Sequence, residues 1–240
     1  MSYPHMRVSA GARAGTSGEH FHQRSATRIY ADRAEYAGSA ESMGWDRFIA
    51  TGWARTQGLE PVRVHESGDM VVLAGGWTRQ RDDGSPIVSN RVLYTLTRLE
   101  GGWGIQARFG IDSRMPEGDR PSHAVEHLKC ANRLLADIHA GDYGQAPAYL
   151  DYPLAMVLGP GLVKVLLGPE DWRSLPNATL WMADSTRSIE VFAAGATGAL
   201  AVFRAGGAAG GSIGALIADR GGQWRLVAIT GRLRCESASA

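Results

Sequence analysis

Two stretches decide the fold: Asn90–Gly110, NRVLYTLTRLEGGWGIQARFG, and Gly211–Gly231, GSIGALIADRGGQWRLVAITG. They align without a gap at an offset of 121, which lays Trp224 on Trp103 and Gln223 on Gly102. Each is an apolar run, a short Gly-containing turn and a second run opening with Trp, the pattern of a β-hairpin. The match continues upstream, where VRVHESGDMVVLAG (62–75) falls on IEVFAAGATGALAV (189–202) at an offset of 127. Trp45 falls on Trp172 at the same offset. The change of offset places a six-residue gap in the polar stretch TRQRDDGSPIVS (78–89), read as a hairpin loop. Loops tolerate such changes. Agreement sustained across one loop-sized gap is the mark of an internal duplication.

Composition agrees with a folded chain. The 240 residues are 44% apolar and 20% charged, near the globular average, so the chain can build a core. Lys plus Arg is 25 and Asp plus Glu is 24, a formal charge of +1. With no basic excess to neutralise phosphates, no nucleic-acid partner is expected. The first fifteen residues lack a signal-peptide core, and the longest apolar stretch, 154–167, is broken by Gly159-Pro160-Gly161 and Lys164. No membrane association and a cytoplasmic location are expected. Cys130 and Cys235 have no metal-ligand spacing.

Around the hairpins, His123–Ala140 carries apolar Val125, Leu128, Leu134, Leu135 and Ile138 near helical spacing, and Gly141 stops it. Asp142–Leu150 reads as a second short helix. Pro169-Glu170-Asp171-Trp172 opens a third, with Pro in its first turn. Strands follow at 189–193, 198–204, 212–219 and 224–230. Helices followed by an antiparallel meander make an α+β unit, and Gly-rich strands suit a strongly curved sheet.

The helix, Gly141-Asp142, the Tyr152-Pro153 strand start, the short helix and a meander ending in Gly-x-Trp resemble the nuclear transport factor two-like fold. That cone-shaped fold is shared by ketosteroid isomerases, scytalone dehydratase and SnoaL-like polyketide cyclases. The resemblance spans 121–232 for one copy. It spans 3–112 for the other, whose Tyr3-Pro4-His5-Met6-Arg7 resembles a strand start of the family. It implies an α+β chain of two tandem cone-shaped copies, 1–117 and 118–236. Each would be a curved antiparallel sheet with helices on one face, the first copy lacking its N-terminal helices. Either the gene start is misplaced, or the first sheet is covered by another element or chain. An uncovered sheet face would pair with a second copy as a homodimer. The resemblance also implies enzymes, binding modules or pairing units, since the fold hosts all three.

Strand alternation groups the polar residues. It sets Arg63 with His65, Gln106 with Arg108, and His5 with Arg7. Stacked in register, these form a polar face suited to a carboxylate, phosphate or enolate, with Tyr94 as a further ligand-binding residue. His65 is the candidate base, and Arg108, Arg7 and His5 the anion donors. The bland alternative is the solvated face of a one-sided sheet. At an offset of 127 the second copy puts Glu190 for Arg63 and Phe192 for His65. At 121 it puts Val227 for Gln106 and Ile229 for Arg108. That replacement predicts a polar cavity in the first copy and an apolar one in the second. Glu190 is the candidate base there, with Trp181 and Phe192 as ligand contacts, against the alternative of a surface carboxylate.

Other motifs yield less. His123-Ala-Val-Glu126-His127 spells a zinc-peptidase motif, but the chain has no room for the domain that motif requires. His20-Phe21-His22 has no third ligand nearby, and the 206–211 glycine run lacks the Lys-Ser/Thr of a phosphate loop. No metal and no cofactor are expected. The partner expected is a small apolar or carboxylate-bearing ligand, in an isomerase-, dehydratase- or cyclase-type site. The alternative is a non-catalytic pseudo-dimeric scaffold.

Overall fold

A computed structural model describes residues 27–30, 34–35, 49–58, 60–99, 102–113, 146–174, 186–194, 198–205 and 212–232. They form two sheets. The first contains β1 (Thr27–Tyr30), β2 (Ala34–Glu35), β3 (Arg55–Gly58), β4 (Val62–Ser67), β5 (Met70–Gln80), β6 (Pro86–Leu99) and β7 (Gly102–Ser113). The second contains β8 (Leu150–Gly159), β9 (Leu162–Leu166), β10 (Thr186–Ala194), β11 (Gly198–Ala205), β12 (Ser212–Asp219) and β13 (Trp224–Arg232). The first sheet runs β2-β1-β7-β6-β5-β3, with β4 also on β5, and the second runs β10-β11-β12-β13-β8-β9. Apart from β3, the two have one strand order, with β1 equivalent to β8 and β7 to β13. In each, a single parallel pair, β1/β7 or β8/β13, joins an otherwise antiparallel ladder.

The two ladders also bulge at equivalent places. Gln106 is the extra residue between Ile105, opposite Leu96, and Ala107, opposite Thr95. Val227 is the extra residue between Leu226, opposite Ile217, and Ala228, opposite Leu216. Likewise Val64 is extra between Arg63 and His65, and Phe192 between Val191 and Ala193. These registers keep the offset of 121 for the second hairpin, as Arg108 opposite Tyr94 matches Ile229 opposite Ala215. Upstream they set it at 128, one more than the sequence alignment, because Arg63 opposite Leu73 matches Val191 opposite Ala201. His65 therefore corresponds to Ala193 and Arg63 to Val191. The stretch read as a loop is mostly strand: Thr78 pairs Ser89 and Arg79 pairs Val88, leaving a tight turn at 81–85.

The α+β expectation is overturned. Of the described residues 73% are strand and 7% helix. Among the described residues the one α-helical element, α1 (Pro169–Arg173), is the Pro-initiated turn foreseen from the sequence. Of the short helix expected at 142–150, residues 142–145 lie outside the described residues, Ala146–Tyr149 form a 3-10 turn and Leu150 already belongs to β8. β8 is hydrogen-bonded between β13 and β9, and that pairing overrides the local helical pattern. Helices lying on a sheet face are not seen among the described residues. His123–Ala140 lies outside them, as do Tyr3–Arg7. Among the described residues the strand equivalent to β8 is β1.

What each sheet buries against is the other sheet. Val64, Met70, Val72, Ala74, Leu93, Phe109 and Ile111 meet Ala155, Val157, Leu200, Val202, Leu216 and Ala228 in one continuous apolar layer. Sheet-on-sheet burial of this kind is a principal stabilising term. β12 is buried on both faces along nearly its whole length. That accounts for its unbroken run SIGALIA in place of alternation.

Candidate binding site

Register places Leu73, Tyr94 and Arg108 in one row and Trp77 and Asn90 in another, both on the face of the first sheet turned away from the second. The Arg79 guanidinium carbon lies 4.6 Å from the Trp53 ring centroid and 4.7 Å from that of Trp77. That of Arg108 lies 5.8 Å from the Trp77 centroid. The Trp77 indole N–H donates to the Tyr94 hydroxyl at 3.0 Å. Gly110 makes room for Arg108: a Cβ there would stand 2.7–2.8 Å from three guanidinium atoms. The side chain therefore lies flat along β7. Asn90 is 1% exposed, and among the described residues neither its amide oxygen nor its amide nitrogen has a hydrogen-bond partner. Two buried guanidiniums, a buried amide, two half-buried indoles and a half-buried phenol thus share one face of the sheet. This chemistry suits a planar anion, with charge-assisted hydrogen bonds from Arg and stacking on Trp.

The equivalent face of the second sheet is apolar. Ile229 stands for Arg108 and Ala215 for Tyr94. Both belong to a layer with Met156, Phe203, Ile213, Ile217, Leu226 and the buried Trp172 of α1. The two faces differ in polarity at Arg108 and Ile229, as the sequence alignment set them, but the other residues expected on the polar face are not there. Gln106 and Arg108 do not share a face, because the bulge turns Gln106 toward the other sheet. There its Oε1 accepts from Thr97 Oγ1 at 2.7 Å and from the Gly161 N–H at 3.3 Å.

His65 also faces the second sheet, since the bulge at Val64 separates it from Arg63 and sets it opposite Val72. Its Nδ1 accepts from the Ser212 N–H at 3.4 Å, and the Ser212 hydroxyl donates to the Val64 carbonyl at 2.6 Å. His65 and Arg108 therefore lie on opposite sides of one sheet. Arg63 is exposed and ion-paired with Glu66 three residues on, a pair of little energetic weight. Glu190 pairs in register with Val202, a residue of the inter-sheet layer, and Phe192 is the bulged residue of β10. His5, Arg7 and Trp181 lie outside the described residues, as do the 123–127 motif, the 20–22 histidines and the 206–211 glycines.

Reading Thr78–Ser89 as a loop hid Arg79 and detached Asn90 from its neighbours. Trp77 and Arg79, two apart, carry the period-2 signal that places them on one face. Among the described residues no group of three His, Cys, Asp or Glu side chains could hold a metal ion. No described helix is long and apolar enough to cross a membrane.

No family model matches the chain, and no curated protein matches it. Solved structures do show a likeness of fold. An NTF2-like protein with a cystatin-like fold from Novosphingobium aromaticivorans is 14% identical, covering 48% of this chain and 86% of its own, with a TM-score of 0.36. An NTF-2 like protein of unknown function from Silicibacter pomeroyi is 14% identical over 46% of this chain and 98% of its own, TM-score 0.33. A putative calcium/calmodulin dependent protein kinase II association domain from Xanthomonas campestris is 16% identical over 43% and 75%, TM-score 0.33.

Proposed function

We propose that this chain is a tandem pair of nuclear transport factor two-like units, 1–117 and 118–236, acting in the cytoplasm as a small-molecule binding protein. Its ligand seat is the outer face of the first sheet, and the ligand is a small carboxylate-bearing molecule. The observation that carries the reading is the cluster of buried Arg79, Arg108 and Asn90 with half-buried Tyr94 and Trp77, set against an apolar equivalent face in the second half. Binding is favoured over turnover because His65, the candidate base, is on the far side of the sheet from these groups.

The test is a thermal-melt series with benzoate and its neutral analogue benzamide, on the wild-type chain and on Arg108→Met. Benzoate at millimolar concentration should raise Tm and benzamide should not, because only a ligand that prefers the folded state shifts the melt. Arg108→Met should abolish the benzoate shift. An equal response to both compounds, or none to benzoate, contradicts the reading. A second reading, a non-catalytic pairing module, is favoured by the face-to-face packing of two sheets of one strand order.

A further inference from the structure

The contact between the sheets is not symmetric in its chemistry, although it is symmetric in its placement. Leu93 and Gly214 are equivalent positions at the offset of 121, and they touch each other. A Cβ on Gly214 would stand 3.0 Å from Leu93 Cδ1 and 3.3 Å from Thr230 Cγ2. Equivalent residues of a two-fold arrangement meet only at its axis. On this axis a leucine, fully buried, fills the hollow that a glycine leaves. Two first-half sheets would bring Leu93 against Leu93, and two second-half sheets would leave Gly214 facing Gly214 across a void. Interiors are packed too densely to accept either cheaply.

The polar contacts off the axis point the same way. Thr95 and Thr230 share a hydrogen bond of 2.6 Å between buried hydroxyls. Their equivalents are Leu216 and Phe109, which share none. The Gln106 Oε1 accepts from Gly161 across the sheets, and its equivalent is Val227. His65 accepts from Ser212, whose equivalents are Ala193 and Arg91. A first-half pair would therefore set Thr95 against Phe109 and His65 against Arg91. A second-half pair would set Thr230 against Leu216. Buried hydroxyls without partners are costly, and such penalties are how an interface rejects the wrong partner.

We propose that the interface is hetero-specific: each sheet recognises the other half of its own chain and excludes a second copy of itself, with Leu93–Gly214 as the pair that sets the choice. This rests on the tandem reading above and not on the ligand. Benzoate binding can fail while this stands, and the reverse.

The test uses the full chain with Cys130 and Cys235 replaced by Ser, so that introduced thiols are the only ones. Leu93→Cys lies on the axis, so a pair of first-half sheets would place the two introduced thiols together and oxidation would give a covalent dimer. The proposal expects Leu93→Cys to stay monomeric on a non-reducing denaturing gel. It expects Leu93→Cys/Gly214→Cys to lose both thiols within one chain. Thr95→Cys/Thr230→Cys, which touches neither axis residue, should close within the chain too and covers the case in which the axis variants do not fold. A covalent dimer from Leu93→Cys, or between-chain bonds in the paired variants, overturns the proposal.

Discussion

Tyr152 shows how one polar atom reports on its surroundings. Its ring packs beside the apolar layer of the second sheet, and its hydroxyl is covered without a hydrogen-bond partner. Burial holds the phenol above its ordinary value near 10, with Glu170 and Asp171 adding to the rise and Arg173 opposing it. The folded state thus prefers the neutral phenol. Below pH 10 the group gives no pH dependence. Above it the unfolded chain ionises first, so stability falls as pH rises and levels off only past the folded value. Tyr152→Phe should flatten that alkaline slope in urea melts. At neutral pH it should cost nothing, or gain up to about 1 kcal/mol, because an unsatisfied buried hydroxyl is removed. A loss larger than that would mean the hydroxyl has a partner.

At the scale of elements the decisive features are bulges and the length of hairpins. A bulge inserts one residue and reverses the facing of everything beyond it. Alternation read straight along 103–111 therefore put Gln106 and Arg108 together, whereas the ladder puts them on opposite sides. The same device parts Arg63 from His65. Nothing in local sequence marks Val64 or Gln106 as bulged, since the bulge follows from pairing with a strand elsewhere. The likeness of the two hairpins was legible, because Trp103 and Trp224 stand at the starts of strands that hold like places in the two sheets. Its upstream offset was one residue short, as flanking Gly and Ala give little to anchor an alignment. Gly231 near the end of β13 is a sharper constraint. Its φ is +122°, and a Cβ would stand 2.3 Å from the Ser212 carbonyl oxygen. Gly231→Ala should therefore destabilise the chain by about 2 kcal/mol or more, from strain and from disruption of the β12–β13 ladder. An unchanged denaturation midpoint would contradict that geometry.

For the whole molecule, the sequence pointed to duplication and to unlike halves, and missed which surfaces meet. Patterning shows that a sheet has an apolar face, but not whether a helix, a second chain or a second sheet covers it. Here the described structure answers with the second sheet. Leu93, Phe109 and Val72 pack with Leu216, Leu200 and Ala228, and Thr95 bonds Thr230 across the layer. One shared layer makes the two sheets one cooperative unit. Site-resolved native-state hydrogen exchange across a denaturant series tests this most directly. The amides of Leu93, Ala107 and Phe109 should exchange with the same opening free energy and denaturant dependence as those of Leu216, Ala228 and Ile229. Two separate opening energies, one for each sheet, would contradict the face-to-face pairing on which the account stands.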